Sequence, residues 1–284
     1  MHRPHLLLLG YGHLNKKVAQ TLLERFRISA VSRTPQSVPG GCHIAMDLSR
    51  DPLDTLPDDA DLILFCLTPA KFDEENYRRT YLDTLKRLTT HIQRSPERFF
   101  FVSSTSVYGQ NQDEVVDEES ATIPENFSGQ ILAEAEQWLK QQSYPCTSVR
   151  FSGIYGAHRT RLLQQIINGE KSDQGPSGYT NRIHETDAVG VLCHLIHLAA
   201  DKKAPLKDCY LASDNLPVRM HDLVAWVREQ IPCQHVMSSG GRQRAGSKQC
   251  RNKRLRETGF EFIYPDYKAG YGEMIRDLSE KQKG

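Results

Sequence analysis

Leu6-Leu7-Leu8-Leu9-Gly10-Tyr11-Gly12-His13-Leu14-Asn15 is the stretch on which the reading of this 284-residue chain turns. Its apolar run has the length of a buried strand, and it passes through two closely spaced glycines into a helical pattern over about Asn15 to Glu24. Gly10 suits a tight turn that a Cβ would disfavour, and Gly12 lets backbone N–H groups come close to a pyrophosphate. The helix beyond directs its positive end at that anion. Residues Gly10, Tyr11, Gly12, His13, Leu14 and Asn15 therefore read as the phosphate turn of a dinucleotide site. One position departs from the Gly-x-Gly-x-x-Gly spacing. Asn15 stands where the third glycine is expected, so either the helix sits further from the strand or the asparagine caps it. A Gly-x-Gly turn also occurs wherever a strand reverses sharply, so other segments have to agree.

They do. The next apolar run, Ile28–Val31, ends in Ser32, Arg33 and Thr34, and Ser32 lies 22 residues after Gly10, where such folds read the adenosine ribose. A carboxylate there would accept from a free 2′-hydroxyl and repel a 2′-phosphate. Arg33 with two flanking hydroxyls would instead neutralise and hydrogen-bond one, which favours NADP over NAD. The plainer alternative is that Arg33 is a solvated loop cation. Two further junctions fall at expected strand ends. Asp47-Leu48 puts a carboxylate within reach of an adenine amino group, and Leu67-Thr68-Pro69 lets the backbone pass near the dinucleotide; both also fit ordinary turn chemistry.

Apolar runs at Leu6–Leu9, Ile28–Val31, Leu62–Leu67, Phe99–Val102 and Thr147–Phe151 alternate with helical patterns at 15–25, 72–92 and 127–142. The runs are continuous rather than alternating, as expected when helices cover both sheet faces, so the pattern predicts an α/β fold with a Rossmann-like doubly wound parallel sheet. After Arg150 a helix over about Thr160 to Asn168 leads into a polar, glycine-rich loop at 169–178, then a helix opening at Ile183-His184-Glu185-Thr186-Asp187. A helix over Leu223–Ile231, a Gly, Ser and basic tract at 236–252, a short element around Phe260–Ile263 and a terminal helix from near Tyr267 complete the chain.

Composition narrows the class. A net charge of +1 and 25% charged residues argue against wholesale nucleic-acid binding and against disorder. Leu6–Leu9 is far too short for a membrane span and short for a signal peptide, so a cytoplasmic protein is expected. Seven scattered cysteines without a Cys-x-x-Cys pair predict neither a disulfide framework nor a metal site. The basic residues Arg242, Arg244, Lys248, Arg251, Lys253, Arg254 and Arg256 read either as a solvated face or as a grip for a diphosphate.

Val102-Ser103-Ser104-Thr105-Ser106-Val107-Tyr108-Gly109 follows the fourth run, and with the glycine turn it makes the chain resemble the extended short-chain dehydrogenase/reductase family, in particular its nucleotide-sugar epimerase and dehydratase branch. The likeness extends through Val149–Gly156, Arg182–Asp187 and Tyr210–Asp214. It implies a dinucleotide-binding domain over 1–165, completed by about 183–210, and a smaller C-terminal substrate lobe from 166–182 and 211–284. It also implies a small-molecule substrate such as a sugar nucleotide, Ser103 among the cofactor contacts, and a homodimer formed through the 72–92 and 127–142 helices.

In that family a Ser or Thr orients the substrate hydroxyl, a Tyr transfers its proton, and a Lys four residues later lowers the Tyr pKa. Ser104 matches the first role. Ser128 stands where the tyrosine is expected and Leu132 where the lysine is expected. A serine without a nearby cation is a poor acid near neutrality, and general acid–base assistance is commonly worth about 10² to 10⁴ in rate. Ser104, Ser128 and a helix-entry histidine, His184, are thus the candidate catalytic residues, with Tyr108 and Tyr155 as other phenols that also read as packing aromatics. No Gly-x-Ser-x-Gly surrounds Ser103 and Ser104, which argues against a hydrolase. Two functions follow as expectations: an epimerase, dehydratase or reductase on a sugar nucleotide or similar hydroxyl or carbonyl compound, or a non-catalytic NADP-binding sensor or interaction protein.

Overall fold

The computed structural model describes residues 3–202, 205–236 and 246–281. Seven strands form one sheet: β1 (His5–Leu9), β2 (Arg27–Ser32), β3 (Cys42–Ala45), β4 (Leu62–Phe65), β5 (Arg98–Ser104), β7 (Cys146–Phe151) and β11 (Cys209–Ala212). Their order is β11-β7-β5-β4-β1-β2-β3. β1 lies at the reversal of that order, pairing in parallel with β2 through Leu8↔Ala30 and with β4 through Leu8↔Leu64. Every residue of β1 and of β4 is buried, the physical reason that Leu6–Leu9 and Leu62–Phe65 are unbroken apolar runs; the buried ring of His5 at the start of β1 is met by Asp59 and Ser29. β3, half-exposed at the sheet edge, has no such run and escapes the sequence pattern.

The chain forms two compact units, one from 1–107, 122–150 and 189–210, the other from 108–121, 151–188 and 211–284. In the first, α1 (His13–Leu22) buries Leu14, Val18 and Leu22 at four-residue spacing, with Asn15 and Ala19 beside them. The helical pattern expected over 72–92 is three pieces: α2 (Glu74–Tyr77), a π-helical turn over Arg78–Asp83, and α3 (Thr84–His91). Asp73 starts it by accepting from the Asn76 N–H at 2.8 Å. α4 (Phe127–Leu139) is capped in the same way by Asn126, which accepts from the Gly129 N–H.

The second unit holds three strand pairs: β6 (Gln112–Val116) with β13 (Ser247–Cys250), β8 (Gly153–Tyr155) with β10 (Arg182–His184), and β9 (Tyr179–Thr180) with β12 (Val218–Arg219). Its core gathers α5 (Arg161–Ile167), α7 (Met220–Gln230) and α9 (Tyr267–Lys281) around Leu163, Ile166, Leu223, Val227, Tyr271 and Ile275. α6 (Glu185–Asp201) runs from the second unit into the first, and α8 (Lys253–Arg256) is a short turn. Where a short element was expected at Phe260–Ile263, the backbone is irregular. Among the described residues no helix is long and apolar enough to cross a membrane.

The basic tract is largely spent on the second unit's own structure. Lys248 is buried and its Nζ donates to the Tyr108 carbonyl at 3.1 Å. Arg254 pairs with Glu119 and sits 3.8 Å from Glu118. Arg242 and Arg244 lie outside the described residues.

Candidate functional site

A cavity of about 420 Å³ opens at the carboxyl ends of β1, β2 and β4 in the first unit. Its floor is the glycine turn. Gly10 has φ +94°, and a Cβ there would overlap the Cys66 carbonyl oxygen, so the position needs glycine on both counts. A Cβ on Gly12 would meet nothing within 4 Å: it would project into the open cradle instead. Gly12 is also the N-cap of α1 and offers no side chain of its own to the helix's first N–H groups. The donor set and the space above it fit a pyrophosphate.

Asn15 does not cap the helix. It is buried, and its Nδ2 reaches back to donate to the Gly10 carbonyl at 2.6 Å, tying the first turn of α1 to the strand end.

Of the residues expected to hold the cofactor, Gly10, Tyr11, Gly12, Ser32, Arg33, Thr34, Asp47, Leu67 and Thr68 share this cavity wall. His13, Leu14, Asn15, Pro69 and Ser103 stand outside it. Burial alone would raise the Asp47 carboxyl, but hydrogen bonds from Ser49 and the charges of Arg50 and Arg33 outweigh that and hold it below the ordinary carboxylate range. The Ser49 hydroxyl donates to Asp47 Oδ1 at 2.6 Å. Ser32 is less available than its position suggests. Its hydroxyl lies 3.1 Å from the Thr34 carbonyl and 2.9 Å from His43 Nε2, and it accepts from Gln36 Nε2 at 3.0 Å. Gln36, Arg50, Arg79, Thr80 and Thr84 line the cavity without having been anticipated. Gln36 lies in irregular backbone, Arg50 in a turn and the other three in the helical segment after β4, whose facing no periodicity in the sequence specifies.

At the end of β5 the two serines diverge. Ser103 is buried and donates to Glu136 Oε1 at 2.6 Å; Arg150 reaches the same carboxylate with Nη2 at 2.6 Å and Nε at 3.0 Å. Ser103 therefore serves an internal ion pair. Ser104 opens a one-turn 3₁₀ helix over Thr105–Val107, and its Oγ accepts from the Ser106 N–H at 3.2 Å. This turn is pressed against α4, since a Cβ on Gly129 would overlap the Ser106 carbonyl oxygen. Ser104 and Ser128 are thereby carried by two backbone turns in contact. Ser128 donates to Asn126 Oδ1 at 2.7 Å, and Leu132 is buried one turn on.

His184 belongs to the second unit. Its ring centre is 3.9 Å from that of Tyr264, its Nδ1 accepts from the Thr186 N–H at 3.3 Å, and its Nε2 is 3.7 Å from Glu273. Tyr155 stacks on Tyr271 at 4.5 Å, and burial pushes its phenol well above the ordinary range. Tyr108 donates to the Asp117 carbonyl at 2.8 Å.

No family model matches the chain. It is 32% identical to Protein YeeZ of Escherichia coli K12 over 280 residues, 91% of this chain and 96% of the relative. Among solved structures, a Methylobacillus flagellatus protein assigned as an NAD-dependent epimerase/dehydratase is 30% identical, with a TM-score of 0.79 over 98% of this chain and 100% of its own. MoeE5, solved with UDP-glucose and NAD, is 20% identical, with a TM-score of 0.77 over 98% of this chain and 99% of its own, a likeness of fold. With the parallel sheet, the glycine turn at its point of reversal and a full-length relative above 30% identity, this chain belongs to the extended short-chain dehydrogenase/reductase family.

Proposed function

We propose that the cavity over Gly10–Gly12 binds a nicotinamide dinucleotide, NADP in preference to NAD, and that the protein is an epimerase, dehydratase or reductase acting on a sugar nucleotide or a similar hydroxyl or carbonyl compound. The observation that carries the reading is the cavity itself, where an open glycine cradle and a helix N-terminus share one wall with Arg33 and Arg50. Backbone N–H groups at the start of α1 would hold the pyrophosphate. Arg33 and Arg50, both acting on Asp47, would meet a 2′-phosphate, and Asp47 would accept from the adenine amino group. When bound, the nicotinamide supplies hydride transfer. Ser104 would orient a substrate hydroxyl. A homodimer through the α2–α3 and α4 faces belongs to the same reading; Phe72, 72% exposed and 5.2 Å from Phe127, gives that face an apolar patch.

A second reading, a non-catalytic cofactor-binding sensor, is favoured by Ser128 and Leu132, which offer neither phenol nor cation. The test has two stages. Calorimetric titration should give tighter binding of NADPH than of NADH, and Arg33→Ala should weaken NADPH alone by about 10- to 100-fold, as loss of a charge-assisted bond predicts. Equal affinities in both proteins would remove the NADP assignment. A panel of sugar nucleotides and carbonyl compounds is then followed by NADPH absorbance and isotope transfer. Turnover abolished by Ser104→Ala supports the enzyme; tight cofactor binding with no transfer across the panel supports the sensor.

A further inference from the structure

The helical segment after β4 brings a third arginine to the cavity wall, and the dinucleotide reading above gives it no task. Arg79, Thr80 and Thr84 all line the cavity. Residues five apart stand about 1.4 turns apart in an α-helix, and so on different faces. Here the Thr84 N–H donates to the Arg79 carbonyl, an i→i+5 bond, and the Thr84 hydroxyl donates to the same oxygen at 2.7 Å. That closure turns both residues to one side. π-Helical turns of this kind are uncommon and concentrate at functional sites.

The guanidinium of Arg79 is also held from behind. Asp73 accepts from the Asn76 side chain at 2.8 and 2.9 Å, and Asn76 Oδ1 in turn accepts from Arg79 Nη2 at 2.6 Å. This engages one of the five N–H donors of the fork. In the sheet, β1 lies between β4 and β2. Arg33 and Arg50 approach from the β2 and β3 side, where both act on Asp47. Arg79 follows β4, on the opposite flank of the glycine turn. Three arginines against one aspartate leave the cavity wall with two net positive charges.

Resting on the dinucleotide reading, we propose that Arg79, positioned by the Asp73–Asn76 chain and the π-helical turn, is a cofactor-binding residue that clamps the pyrophosphate from the β4 side. Its role differs from that of Arg33 because both NADP and NAD carry a pyrophosphate. Arg79→Gln should therefore weaken NADPH and NADH by the same factor, about 10- to 100-fold, and leave their ratio unchanged, whereas Arg33→Ala changes the ratio. The salt dependence of the NADPH dissociation constant should become shallower in Arg79→Gln, since one screened attraction is gone. Arg79→Lys should restore part of the affinity, and the melting temperature of the ligand-free variant should match wild type. Unchanged dissociation constants, a loss confined to NADPH, or a lowered melting temperature without a change in salt dependence would each overturn the assignment. If wild-type protein binds neither dinucleotide, the cofactor reading itself fails and Arg79 with it; wild-type binding with an indifferent Arg79→Gln refutes Arg79 alone.

Discussion

Replacing Glu136 by alanine is expected to destabilise the first unit severely. Glu136 and Arg150 are 4% and 3% exposed, so the carboxylate is a charged partner of a guanidinium that water scarcely reaches. Removing one partner of such a pair typically costs about 3–5 kcal/mol, because the other charge stays buried without it. Ser103 also loses the acceptor it reaches at 2.6 Å. Against a whole-domain stability of about 5–15 kcal/mol, this is about a fifth or more of the total. At about 2–4 °C per kcal/mol for units of this size, the melting temperature should fall by about 6–20 °C. Urea unfolding followed by circular dichroism should show the midpoint lowered with an unchanged slope. The companion variant, Glu136→Met with Arg150→Met, removes both charges and should recover most of the loss, since well-packed apolar replacements of buried pairs are often neutral. An alanine variant within about 1 kcal/mol of wild type, or a double methionine variant as unstable as either single change, would refute the reasoning.

Asp214, 1% exposed, has its carboxyl pushed by burial from the ordinary 3.8 up to about 8. The folded form therefore keeps a proton that the unfolded form releases, so this group's contribution to stability falls as pH rises through that interval and is gone above the folded value. Asp214→Asn retains the acceptor for the Leu216 N–H and should flatten the decline, matching wild type near pH 4 and exceeding it near pH 8 in parallel melts. Gly10→Ala should cost about 2 kcal/mol or more and abolish dinucleotide binding, because φ +94° and the Cys66 carbonyl both oppose a Cβ; a variant of native melting temperature and affinity would contradict this. Ser128→Tyr with Leu132→Lys should raise hydride transfer from background if the α4 positions once carried the acid and its cation, and lower any turnover that runs on different chemistry; single-turnover absorbance distinguishes the two.

The fold was legible wherever burial on both faces of the sheet forces an unbroken apolar run, as at Leu6–Leu9, Leu62–Phe65 and Phe99–Phe101. It was illegible where that force is absent. β3 is an edge strand reading Cys42-His43-Ile44-Ala45, and β6 with β13 pairs polar segments about 130 residues apart in sequence. Within the candidate site, the glycine turn, Arg33 and Asp47 could be found because backbone conformation and strand ends fix them at set distances from Gly10. Arg50 and Arg79 could not: one sits in a turn, the other owes its facing to a π-helical bond that local propensity does not encode. Ser103 looked like a cleft residue from its place at a strand end, yet its partner is Glu136, 33 residues on and visible only once α4 packs on β5.

The first turn of α4 bears most directly on which chemistry survives. Asn126 Oδ1 accepts both the Gly129 N–H at 2.8 Å and the Ser128 hydroxyl at 2.7 Å, so the serine proton is committed to the group that caps the helix. Donating that proton to a substrate would require rotating the hydroxyl away from the cap, and no lysine would stabilise the alkoxide left behind, since Leu132 is buried at 3% exposure. Glycine at 129 meanwhile keeps the turn of Ser104 pressed against this helix, which holds in place the hydroxyl proposed to orient a substrate. Within the first unit, then, the glycine turn and the turn of Ser104 keep the backbone that the proposed function needs, while the first turn of α4 is built as a cap and not as an acid. If the proposed enzyme activity holds, its proton donor is expected outside the first turn of α4, and a Ser128→Ala variant should leave turnover nearly unchanged where Ser104→Ala abolishes it.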